Sequence, residues 1–197
     1  MRPTEENPSG AVLLALARAA IERELAREPG RAQLADDGAP WLRERGACFV
    51  TLTQQGALRG CIGTLEAHRA LRDDVRANAL AAAFRDPRFG PLTARELEIT
   101  EVEVSLLSPM QALPCADEAH ALRQLRPGID GVVFEYGARR STFLPQVWEQ
   151  LPDGRDFMAH LKRKAGLPAG FWHTDVRLQR YTVSKWKESG LRLAQVS

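Results

Sequence analysis

Cys48-Phe49-Val50-Thr51-Leu52-Thr53, Gln54-Gln55-Gly56 and Ala57-Leu58-Arg59-Gly60-Cys61-Ile62-Gly63-Thr64-Leu65 form the run on which the fold turns. The first six residues alternate small or apolar side chains and read as a strand. The three that follow are turn formers. Residues 57–65 then read as a second, partnered strand. Two strands joined by so short a turn lie antiparallel, because a parallel pair needs a long crossover. Gly60 and Gly63 inside a strand pattern mark a bulge or a close approach of two backbones.

Working outward, residues 11–28 predict a helix with Leu13, Leu16, Ala17, Ala20, Ile21 and Leu25 on one face, Ser9 as its cap and Gly30 as its end. A polar loop through Asp36-Asp37-Gly38-Ala39-Pro40 leads to the hairpin. Residues 70–84 predict a second amphipathic helix, stopped at Arg85-Asp86-Pro87 because the residue before proline resists helix. Asp86 to Leu92 reads as a shaped loop. Residues 98–107 alternate most clearly of all, with Val102, Val104 and Leu106 against Glu101, Glu103 and Ser105. A short helix over 117–126, a hairpin from Gly131 to Leu144, a helix over 155–165 ended by Gly166, and a last strand over 175–183 complete the chain. Strands adjoin one another as often as helices intervene. The fold class is therefore α+β, with antiparallel or mixed sheets flanked by helices. A smaller lobe, formed by the first helix and its loop, is a further expectation.

The 197 residues, 44% hydrophobic and 26% charged, support an ordinary buried core. A net charge of +2 is too mild for a domain that lives on phosphate contacts, so nucleic acid is not the expected partner. Only four of the 27 cationic side chains are Lys, and the Arg residues are scattered. Cys48, Cys61 and Cys115 are odd in number and lack the spacing of a zinc or redox motif, which fits a reducing compartment. The opening residues carry no apolar signal core, and the longest apolar stretches fall short of the ~20 residues of a membrane span. The expectation is a cytoplasmic protein with no membrane association.

Three blocks resemble the AMMECR domain, known in bacteria and archaea as AmmeMemoRadiSam system protein A. The first is the Gly56–Leu65 strand. The second is Ala82-Ala83-Phe84-Arg85-Asp86-Pro87-Arg88-Phe89 with Pro91-Leu92-Thr93. The third is Val104-Ser105-Leu106-Leu107-Ser108-Pro109. The hairpin through Phe143-Leu144-Pro145-Gln146-Val147 and the segment Lys164-Ala165-Gly166-Leu167 extend the likeness to roughly residues 11 to 186. Lys185-Trp186-Lys187-Glu188 departs from the family's more acidic aromatic tail. The resemblance implies one domain over residues 1–197, with two lobes around a cleft lined by the Arg-Gly-Cys-Ile-Gly strand. It also implies association with a Memo-like protein and a radical-SAM enzyme.

The residues themselves nominate Cys61, Arg59 and Glu103 for chemistry. Cys61 reads either as a thiolate nucleophile, assisted by nearby cations, or as a small buried residue between close backbones. Arg59, two residues away on a flat strand, shares a face with Cys61. Arg85 and Arg88 approach from the loop, and guanidinium groups suit a small anionic ligand; the bland alternative is an internal ion-pair network with Asp86, Glu101 or Glu103. Glu103 is a general base if half-buried, and otherwise a solvent-facing strand residue. Gly60, Ile62, Gly63 and Thr64 on the strand, Asp86 and Phe89 on the loop, and Ser105 complete the candidate binding set. No cofactor is evident. His68, His120, His160 and His173 lack metal-ligand spacing. Lys162-Arg163-Lys164 reads as a complement to a helix dipole. Trp148, Phe157, Leu161, Phe171 and Trp172 read as one apolar cluster. Two functions stay open: an enzyme or enzyme component acting on a small anionic substrate, and a non-catalytic metabolite- or protein-binding adaptor. Oligomeric state is left open too.

Overall fold

The hairpin forms as its residues dictate. In a computed structural model describing residues 8–26 and 38–190, Gln55 and Gly56 both adopt positive φ, 50° and 82°. That is the two-residue turn whose twist matches the strands it joins. The expected end of the first helix at Gly30, and Asp36 and Asp37 of the polar loop after it, lie outside the described residues.

In chain order the elements are α1 (Pro8–Ala26), β1 (Arg45–Gly46), β2 (Cys48–Gln54), β3 (Ala57–Gly63), β4 (Arg69–Ala70), α2 (Leu71–Phe84), α3 (Ala94–Glu98), β5 (Thr100–Leu107) and β6 (Gln111–Ala112). There follow α4 (Glu118–Gln124), β7 (Gly131–Tyr136), β8 (Arg139–Phe143), α5 (Gly154–Lys164), β9 (Arg177–Tyr181) and β10 (Val183–Lys187). Ser9 lies within α1 and so is not the residue that caps it. The class is α+β. The pairs β1–β4, β2–β3, β2–β5, β6–β9, β7–β8 and β7–β9 are all antiparallel.

The chain divides into two compact units, one running to Leu107 and resuming at Ser184, the other Ser108–Val183. The first helix does not form a separate lobe. Its buried Leu13, Leu16, Ala17 and Ile21 join the core of the first unit, against α2 and β5. In that unit the sheet order is β10-β5-β2-β3. Val50, Leu52, Val102 and Val104 are fully buried on the face that meets α1 and α2. The second unit has its own sheet, β6-β9-β7-β8, and its own core. Trp148 stacks on Phe157 at 3.8 Å, and Phe171 and Trp172 pack at the margin, so the expected apolar cluster is present. Lys162, Arg163 and Lys164 stand in the last turn of α5, as expected; Lys162 is also buried, and its Nζ donates to both oxygens of Glu118 at 2.9 Å.

Candidate functional site

β3 is an edge strand, so one side of its backbone faces no neighbour. An unpaired edge costs hydrogen bonds and invites pairing with other chains. Here the loop after α2 fills the gap. Asp86 is buried, and its Oδ2 accepts from the Cys61 N–H at 2.9 Å. Arg88 grips the same carboxylate, Nη2 to Oδ2 at 2.7 Å, and Nη2 also donates to the Cys61 carbonyl at 3.3 Å. The pair does for Cys61 what a fifth strand would do. The guanidinium of Arg88 holds the Asp86 carboxyl far below the usual carboxylate range, with the backbone N–H groups of Cys61 and Arg88 adding to the effect.

Because Cys61 turns its N–H and carbonyl outward, its rung with Thr51 is the kind in which side chains stand closest. Thr51 Oγ1 donates to Cys61 Sγ at 3.3 Å. Glu103 is the partner of Thr51 on β5, so thiol, hydroxyl and carboxylate share one row across three strands. Lys187 and Lys185 on β10 extend the row, reaching Glu103 at 3.2 and 3.7 Å. The helices of the first unit pack on the other face of the sheet. Cys61 and Thr51 are half-buried, and the Glu103 side chain is 12% exposed.

Arg59 does not share the face of Cys61. The register shifts between Leu52 and Thr53, so Leu52 opposes Gly60 while Thr53 opposes Leu58, and Arg59 is the bulged residue. A bulge breaks the two-residue alternation on which the flat-strand expectation rests. The guanidinium goes instead to Glu96, Nε to Oε1 at 3.0 Å, and to the Gly90 carbonyl at 3.0 Å. Glu96 also closes a capping box on Thr93. Arg59 and these bonds from Thr93 bring its carboxyl down to about 2. The guanidinium carbons of Arg59 and Arg88 stand 5.8 and 5.6 Å from the centroid of the Phe89 ring. Two of the three nominated Arg residues are thus bound to internal carboxylates, one of them the Asp86 that the network alternative named. Arg85 is exposed, and its backbone ends α2.

The other nominated residues divide by pleat. Gly63 and Ser105 fall on the face of Cys61. Gly60 and Ile62 fall on the helix face, where a Cβ at Gly60 would stand 2.2 Å from the Ala82 carbonyl oxygen. A Cβ at Gly63 would meet the Phe49 ring at 2.2 Å. Thr64 turns into a buried network: its Oγ1 donates to Asp74 Oδ2 at 2.6 Å, and that oxygen also accepts from Cys48 N and Asn78 Nδ2 at 2.9 Å each. Burial and the neighbouring Asp74 push the Cys48 thiol far up; burial pushes Cys115 up as well. Sequence reasoning missed Thr51, Asp74 and Glu96. The Thr93-x-x-Glu96 pair was a readable cap signature; Thr51 and Asp74 gain meaning only once β2 and α2 are placed. Among the described residues no group of three His, Cys, Asp or Glu is arranged to hold a metal ion. Likewise no described helix is long and apolar enough to cross a membrane.

The AMMECR1 family model matches residues 14–186. A protein of Methanothermobacter thermautotrophicus is 38% identical over 183 residues, covering 92% of this chain and 95% of its own length. One from Methanocaldococcus jannaschii is 34% identical, with 91% and 90% covered. The crystal structure of an uncharacterised protein from Pyrococcus horikoshii superposes with a TM-score of 0.75 at 33% identity, over 93% of each chain.

Proposed function

The chain belongs to the AMMECR1 family, and on that premise we propose that it is an enzyme component that handles a small anionic compound on the face of its first sheet opposite α1 and α2, with Cys61 as the reacting thiol. The supporting observation is the polar row Cys61–Thr51–Glu103, ending in Lys185 and Lys187, on a strand whose backbone is fixed from outside by Asp86 and Arg88. Of the three cysteines it alone pairs partial exposure with a hydroxyl donor at its sulfur among the described residues. The thiol supplies a nucleophile, and the lysines supply charge for an anionic group. A Memo-like protein and a radical-SAM enzyme are the proposed partners, and the cytoplasm the proposed compartment.

The test is native alkylation with iodoacetamide, read per cysteine by mass spectrometry. Cys61 is expected to react well before Cys48 and Cys115. Equal rates for Cys61 and Cys48 would remove the thiol from this reading. In a mixture reconstituted with the two partners, Cys61→Ser is expected to abolish turnover.

One observation favours a second reading, a protein-binding adaptor. Leu58, the partner of Thr53 and so on the same sheet face as Cys61, is 43% exposed. Capture of the Memo-like partner that survives Cys61→Ser and fails in Leu58→Asp would select the adaptor.

A further inference from the structure

We propose that Thr51 is the positioning residue of the Cys61 thiol: its hydroxyl holds Sγ in one orientation and donates to the sulfur when it reacts. The inference rests on the reading of Cys61 as the working thiol, and it adds the group that governs it. The other candidates for that part are engaged elsewhere. Glu103 is on the same row, but its oxygens are held by Lys187 at 3.2 Å and Lys185 at 3.7 Å, both on β10, the strand on the far side of β5 from Thr51. Arg59 is turned to Glu96 and Gly90 by the bulge. Asp86 and Arg88 touch the main chain of Cys61, its N–H and its carbonyl.

Thr51 is different because it meets the sulfur itself, Oγ1 to Sγ 3.3 Å. The closeness is built into the sheet. Cys61 is the direct partner of Thr51, in a rung whose backbone groups on β3 point outward to the Asp86–Arg88 pair. Rungs of that kind bring side chains closest. A threonine hydroxyl sits on a branched Cβ, so one stiff torsion fixes it, and the strand fixes that torsion. The edge pair therefore sets the backbone of Cys61, and Thr51 sets its side chain. A donor that holds Sγ in one orientation keeps the sulfur aimed for attack.

The experiment compares parent, Thr51→Val and Thr51→Ser as full chains under native conditions. Iodoacetamide is the probe, at fixed neutral pH, with the rate read separately for Cys48, Cys61 and Cys115. Sulfur displaces iodide from carbon in this reaction, so the rate reports the thiol alone. Valine has the shape of threonine and suits a strand, so the fold is expected to persist; melting temperatures check this. The Cys61 rate is expected to fall about fivefold or more in Thr51→Val, to recover in Thr51→Ser, and to leave Cys115 unmoved. An unchanged rate in Thr51→Val overturns the proposal. So does an equal fall in both variants, since that traces the effect to packing. If parental Cys61 reacts no faster than buried Cys48, the reading of Cys61 itself fails, and the role of Thr51 with it.

Discussion

At Gly60 the carbonyl oxygen of Ala82 occupies the space where a side chain would begin, 2.2 Å from an ideal Cβ. Neither the strand nor the helix backbone yields cheaply, so Gly60→Ala is expected to cost about 3 kcal/mol in a denaturant titration. Gly90 has open space around it, and Gly90→Ala is expected to stay within about 0.5 kcal/mol. The glycines of β3 were legible in the sequence as places of close approach, because few other causes put two of them in one strand. The direction of Arg59 was not legible. One inserted residue reverses a pleat, and nothing in Leu58-Arg59-Gly60 announces the insertion. Thr64 was misjudged for a related reason: its partner Asp74 is on α2, and only docking of that helix brings the two together. Cys48 is expected to stay unmodified by iodoacetamide until the chain unfolds, since burial keeps its thiol protonated and out of reach.

Among the elements, β3 and β8 meet the same problem with different side chains. β3 is shielded by Asp86 and Arg88 on the two backbone groups of Cys61. β8, the edge of the second sheet, has Lys164 Nζ on the Thr142 carbonyl at 2.9 Å. Asp86→Ala leaves the Cys61 N–H and a guanidinium without their acceptor, and about 2 kcal/mol of stability is expected to go with it. Hydrogen exchange at the Cys61 amide is the sharper readout, because it should quicken far more than amides in α1. The long elements were legible: α2, β5 and both hairpins stand where alternation and helical spacing put them. β1, β4 and β6 have two residues each and no period to read. β10 carries a single inward residue, Trp186, between Lys185 and Lys187. With one partly buried side chain packed on the core, the alternation is too short to separate from a charged tail.

At the scale of the whole molecule, two carboxyls among the described residues that are drawn well down, Asp86 and Glu96, both belong to the first unit. Each binds its proton more weakly folded than unfolded, so each stabilises the folded chain above the ordinary carboxylate range. That contribution fades as pH falls, for Glu96 between its usual 4.5 and about 2. Denaturation midpoints measured down this range should drop, and Glu96→Gln should make the drop shallower. Hydrogen exchange in acid should open β3 and α3 before β7 and β8. The division of the chain into these units was not legible, because the stretch up to Leu107 looks complete in sequence and nothing in residues 184–188 marks them as part of its sheet. Its sheet nonetheless takes β10 from beyond the second unit. Glu188 there receives Arg18 of α1 and, at 2.9 Å, the N–H of Val102. On the ribosome this order matters. Residues 108–183 emerge while the sheet ahead of them still lacks an edge, and α1 waits for its ion-pair partner. The inserted unit is therefore expected to be able to fold before the unit it interrupts, so that residues made earlier than it are completed after it.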